Sequence, residues 1–147
     1  MSETSVGAVV FHKKSHETRF LLLHYTSGHW DFAKGHVEEN ETEEQVLWRE
    51  LEEETGITKK QAKIIPGFRE RITYFYKKGE ETIFKEVIIL LVESATDSVR
   101  LSPEHNEFDW LVFERALKKT TFANAKQILA KADAFLKQKS FLPETKK

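Results

Sequence analysis

Nine of the 23 residues from Gly35 to Ile57 are glutamate, and the segment has to fold in a way that tolerates that much like charge. A helix accounts for its second half. Thr42 followed three residues later by Gln45 is a capping box. Glu43 and Glu44 stand in the first turn, where the positive end of the helix dipole favours them. Gly56 suits a left-handed cap after the last turn. The spacing therefore predicts a helix over Thr42–Thr55. Its 3.6-residue period puts Leu47, Trp48 and Leu51 on one arc, toward a core, and Glu50, Glu53 and Glu54 on the adjacent arc. Like charges three and four residues apart each cost about 0.2–0.5 kcal/mol on an exposed helix, and Arg49 is the only cation within this one. Three carboxylates beside a buried face cost more still unless a cation neutralises them. Hard oxygen donors suit Mg²⁺, with Mn²⁺ as the alternative. Glu43, Glu44 and Glu52 read as solvated charge.

The rest of the chain can house such a site. A length of 147 residues fits one domain over 1–147 with its own core. Hydrophobic residues at 39% and charged residues at 32% describe a globular protein. The absence of cysteine excludes disulfides and thiolate chemistry. A net charge of −1 provides no general attraction to DNA, so a polyanion must be met by local cations or metal. Apolar runs such as Val87–Val92 are too short to span a membrane, and no basic-then-apolar leader opens the chain. A soluble, cytoplasmic monomer is the expectation.

Val6–His12 and Phe20–Tyr25 read as buried strands. Ile64–Tyr76 and Thr82–Glu93 read as a long hairpin turning at Lys77-Lys78-Gly79-Glu80. Pro66 marks an irregular or edge start. Phe108–Phe113 is a further strand, and Phe122–Gln138 a helix with apolar residues at helical spacing. The polar tail after Phe141 is expected to fray. The order lacks regular strand-helix alternation, so a mixed sheet sandwiched between helices fits best.

Gly35, Glu41, Arg49, Glu50, Leu51, Glu53, Glu54, Gly56 and Ile57 together match the pattern of the Nudix box over 35–57. The chain thus resembles the Nudix hydrolase family. The resemblance implies an α/β/α sandwich carrying a loop-helix-loop metal site, and hydrolysis of a nucleoside diphosphate linked to another group. By position it makes Glu50, Glu53 and Glu54 metal ligands, with one of them also a general base. Arg49 would orient the glutamates, Gly35 would let the backbone approach metal or ligand, and Glu41 would be structural. Asn40 stands where the family often has glycine, and asparagine tolerates the left-handed conformation.

The flanks narrow the resemblance. His29-Trp30-Asp31-Phe32-Ala33-Lys34-Gly35-His36-Val37, Gly67-Phe68-Arg69-Glu70 with Tyr74, and Ser102-Pro103-Glu104-His105 are similar to segments of the asymmetric diadenosine tetraphosphate hydrolases. Those enzymes split the dinucleotide into ATP and AMP. A tetraphosphate bridge carries about four negative charges, so cations must line its path. His29 and Lys34 are candidates to hold phosphate, and Lys77 and Lys78 could close from the hairpin tip. Glu104 resembles the extra acidic residue that completes the metal or base site, and His36 and His105 read as structural. Tyr74 and Phe122 form a candidate clamp for adenine. Trp30, Trp48 and Trp110 read as packing. Phe32-Ala33 replaces the two prolines common before the loop lysine, which leaves the loop less rigid.

The expected reaction is Mg²⁺-dependent attack of water on phosphorus. Glu54 is the first candidate base and Glu50 the second, while Lys34 stabilises the leaving polyphosphate. The expected partner is a small-molecule dinucleoside polyphosphate. Alternatives are a Nudix enzyme acting on RNA 5′-triphosphate ends or nucleoside triphosphates, and a Nudix-like module that binds nucleotide without cutting it.

Overall fold

The computed structural model describes residues 2–141; the tail expected to fray lies outside them. Within them, seven strands build one mixed sheet: β1 (Ser2–Lys14), β2 (Glu17–Tyr25), β3 (Trp30–Asp31), β4 (Ala33–His36), β5 (Ala62–Lys78), β6 (Glu81–Ser94) and β7 (His105–Leu111). The helices are α1 (Glu43–Thr55), α2 (Phe113–Lys119) and α3 (Ala123–Phe141). The strand order is β3-β2-β1-β6-β5, with β4 also on β1 and β7 also on β2. β1 and β6 are parallel; the other pairs are antiparallel.

The continuous apolar runs of β1, β2 and β6 follow from having both sheet faces covered. Val6, Ala8, Val10, Leu21, Leu23, Ile88, Leu90 and Val92 pack beneath Val46, Leu47 and Leu51 of α1. The alternate residues Val9, Phe11, Phe20, Leu22, Ile89 and Leu91 pack with Ala116 of α2 and Ala125, Ile128, Leu129 and Ala132 of α3. Burying each large side chain of this kind contributes roughly 1.5–3 kcal/mol. The result is the expected α/β/α sandwich. Among the described residues no helix is long and apolar enough to cross a membrane.

Several local expectations need correction. Trp48 lies only at the edge of the α1 core, and Val46 takes the buried place beside Leu47 and Leu51. No strand was expected between Tyr25 and α1, yet Trp30–Asp31 pairs with β2 and Ala33–His36 with β1. Those pairs are too short to show a period. The late strand spans His105–Leu111, and Phe113 opens α2, a short helix not expected from the sequence. Phe122 stands just before α3 rather than within it. Pro66 sits at the register irregularity between Ile64 and Arg69 of β5, which is an edge strand and tolerates the missing N–H there.

Candidate active site

The loop-helix-loop is held by its own polar groups. The Gln45 N–H donates to Thr42 Oγ1 at 3.2 Å, and the Thr42 N–H donates to Gln45 Oε1 at 2.9 Å, which closes the capping box. Asn40 adopts φ 66°, so the turn survives the replacement of glycine. Gly56 caps the other end at φ 79°, its N–H donating to Glu52 O at 2.9 Å.

Arg49 ties this unit together. It donates to both oxygens of Glu41 at 2.7 and 2.8 Å, to His36 O at 2.9 Å and to Glu50 Oε2 at 2.7 Å. The guanidinium holds the Glu41 carboxyl down at about 2. Glu41 thus fastens the loop to the helix. Glu50 in turn lies over Gly35: a Cβ added at Gly35 would fall 2.0 Å from Glu50 Cδ. Glycine is required there because the carboxylate occupies the space of a side chain.

Glu54 is 4% exposed although it is charged in most settings. Burial, with Glu50 as a second cause, pushes its carboxyl up to about 8. Burial also raises Glu50. The Lys34 N–H donates to Glu54 Oε1 at 3.2 Å. His105 Nε2 lies 3.9 Å from the same oxygen and has no hydrogen-bond partner, although it is fully buried. Its Nδ1 is 3.1 Å from Ser102 Oγ. Among the described residues, donor atoms of Glu54, Glu104 and His105 fall within 4.8 Å of one another. A buried nitrogen lone pair with no partner, beside a carboxylate strained by burial, fits a divalent cation.

Glu54 and Glu104 were both expected among the metal ligands, and His105 was not. Glu54 joins Glu104 and His105, whereas Glu50 and Glu53 lie 2.7 and 3.6 Å from Arg49, and the Glu53 side chain is 59% exposed. Arg49 is the cation within reach of both.

A second arrangement lies on the α3 side of the sheet. A cleft of about 770 Å³ is lined by His29, Asp31, Phe32, Lys34, Tyr74 and Phe122, among others. That volume suits a nucleotide-sized ligand. Tyr74 and Phe122 are 42% and 48% exposed, large aromatic surfaces left open to it. The His29 ring is 5.2 Å from Phe122 and stacks on Tyr25 at 4.6 Å. Tyr25 meets His105 edge-on at 4.4 Å and donates to Phe32 O at 2.6 Å. A run of rings therefore connects the carboxylate group to the cleft.

Lys34 belongs to both arrangements. Its backbone faces Glu54, while its Nζ donates to the buried Asp31 at 2.7 Å within the cleft wall. Gly7 makes this possible, because a Cβ on it would meet Ala33 O and Lys34 Cβ at 2.4 Å. Lys77 does not join them. It is exposed at the hairpin tip and pairs with Thr82, on the opposite pleat from Tyr74.

Asp31, Tyr25 and Lys85 were not expected among the site residues. Lys85 sits directly opposite Tyr74, is 7% exposed and donates to Ser5 Oγ at 2.8 Å. A signal for it existed, since it interrupts an apolar strand on the row that continues to Val87 and Ile89.

The NUDIX domain family matches residues 1–132. The asymmetrical bis(5′-nucleosyl)-tetraphosphatase of Sus scrofa is 32% identical over 144 residues, covering 92% of this chain and 97% of its own. Its counterpart in Caenorhabditis elegans is 37% identical over 135 residues, covering 90% and 95%. The crystal structure of a C. elegans Ap4A hydrolase binary complex matches with a TM-score of 0.82 at 34% identity, covering 92% of this chain and 98% of that one.

Proposed function

The chain belongs to the NUDIX domain family and is a Nudix pyrophosphohydrolase, and on that premise we propose that it cuts dinucleoside polyphosphates, diadenosine tetraphosphate first, to ATP and AMP. The observation that carries this reading is the meeting at Lys34 of a buried carboxylate group and an aromatic-walled cleft. The first suits hydrolysis at phosphorus, the second a nucleobase. Residues 1–147 are read as one Nudix unit, acting in the cytoplasm as a monomer.

Nudix hydrolases use a divalent metal. In our reading Glu54 and Glu104 would hold Mg²⁺, with His105 as a third donor, Gly35 giving close backbone access, and Glu50 and Glu53 flanking them. A nitrogen donor would also accommodate Mn²⁺. When bound, the ion supplies positive charge to phosphate oxygens and acidifies water. The protein's own groups do the rest. Glu54, ionised when the cation is held, accepts the proton of the attacking water. Arg49 keeps Glu50 and Glu41 in register with it. The water oxygen forms the new bond to phosphorus, the bridging P–O bond breaks, and its electron pair leaves with the other product. Lys34 stabilises the departing phosphate charge. His29, Tyr74 and Phe122 hold adenine by stacking.

Hydrolysis in isotopically labelled water tests this, with the products separated by mass. ATP plus AMP, one of them labelled, is expected; two ADP, or no turnover with Mg²⁺, would sink the proposal. RNA 5′-triphosphate ends and nucleoside triphosphates run beside it should turn over more slowly, and a faster rate on either makes that alternative the function.

Stacking contributes roughly 1–3 kcal/mol per base. Replacing Tyr74 or Phe122 with alanine is therefore expected to raise KM for diadenosine tetraphosphate about tenfold, with kcat less affected. Steady-state kinetics decide it; an unmoved KM in both variants removes the clamp.

A further inference from the structure

On the sheet face that carries the cleft residues Tyr74, Val87 and Ile89, β1, β5 and β6 gather an unusual set of polar groups. Glu3 of β1 stands beside Lys85 of β6, which stands opposite Tyr74 of β5. One oxygen of Glu3 accepts from the Tyr76 hydroxyl at 2.6 Å and lies 3.6 Å from Lys85 Nζ. His36 Nε2 is 3.9 Å from that oxygen, and Lys78 Nζ is 4.0 Å from the other. These residues share the α3 side of the sheet with Tyr74, Val87 and Ile89 of the cleft.

We infer that Glu3 is a positioning residue for substrate: its carboxylate is the counter-charge that holds the buried Lys85 ammonium, and the Tyr76 hydroxyl, at the polyphosphate end of the cleft. The inference rests on the polyphosphate reading above. Lys85 faces Glu3 and Ser5 of β1, the Lys34 charge of β4 and Tyr74 of β5, while His36, Tyr76 and Lys78 surround the Glu3 carboxylate. Among the described residues Glu3 is the carboxylate within 4 Å of it. A lysine this buried, facing other cations, loses its proton readily without a counter-charge. Burial already draws Lys85 below its ordinary value, and Glu3 opposes that. Glu3 itself is held ionised first by the Tyr76 hydrogen bond. Hairpin, first strand and lysine charge thus hang on one carboxylate.

The sign follows. Glu3→Gln keeps the shape but removes the charge, so Lys85 deprotonates at lower pH and phosphate affinity is lost as pH rises. The KM of Glu3→Gln for diadenosine tetraphosphate should approach the wild-type value near about pH 6 and exceed it about tenfold near about pH 9, with kcat little changed. Glu3→Asp should restore most of the difference. Lys85→Met should show a raised KM at every pH, with no further change on adding Glu3→Gln. In parallel, carbon-13 NMR of lysine Cε should show the Lys85 titration moving to lower pH in Glu3→Gln. A KM ratio constant across pH, or an unmoved Lys85 titration, overturns the inference. Failure of the wild type to cut diadenosine tetraphosphate would instead sink the functional reading, and the NMR titration still decides the role of Glu3.

Discussion

Glu54→Gln is expected to lower turnover of diadenosine tetraphosphate by about 10²–10⁴-fold, the usual contribution of a positioned general base, while the fold survives. With a cation held beside it the buried carboxylate is ionised and can accept a proton from water, which an amide cannot. The packing is unharmed because glutamine has the same shape and keeps the acceptor for the Lys34 N–H. A linked prediction concerns stability. The unfolded carboxyl titrates near 4.5 and the folded one near 8, so between those values the metal-free native state holds a proton that the unfolded chain has released. The Glu54 contribution to metal-free stability should be fully present below about pH 4.5 and be lost, by a few kcal/mol at most, as pH rises through about 8. Glu54→Gln should flatten this dependence, and Mg²⁺ should offset it in the wild type. Thermal unfolding across that range, with chelator and with Mg²⁺, measures both. An unchanged rate in Glu54→Gln assigns the base role elsewhere, to Glu50 first.

Gly35→Ala is expected to cost about 10²-fold or more in kcat, the scale of a catalytic group misplaced by about 1 Å, with only a small loss of stability. The added Cβ would lie within 2.3 Å of all three carboxylate atoms of Glu50. These form the far end of a flexible side chain, so the helix need not move, but the carboxylate must leave its place beside Arg49 and Glu54. The φ of Gly35 is not in the left-handed region, so alanine meets no backbone penalty of its own. Circular dichroism should show an intact fold, calorimetry a weakened Mn²⁺ binding, and kinetics the lost rate. Wild-type activity in this variant would mean that Glu50's position does not matter.

How much of this was legible before the structure differs from residue to residue. The α1 capping box, the left-handed turn at Asn40 and the separation of Leu47 and Leu51 from the glutamates all follow from local rules of spacing and φ. Glu50, Glu53 and Glu54 were expected as one set because they share a helical arc. The arc does not record depth, and depth separates the buried Glu54 from the exposed Glu53. Lys77 failed as a cleft residue for a related reason: one step along a strand changes the face. Lys85 and Asp31 were passed over because a lone charge in a strand gains meaning only from what lies across it.

By itself, the sequence determined a Nudix loop-helix-loop, a mixed sheet between helices and the residue types able to handle phosphate, because these depend on contacts among near neighbours in the chain. Only the tertiary structure decided which of those residues work together. Glu54 meets His105 across 51 positions, Lys85 meets Glu3 across two parallel strands, and Gly35 yields its side-chain space to Glu50. Burial and charge at those meetings, set by packing between distant segments, give each carboxylate and lysine its proton affinity and so its chemistry.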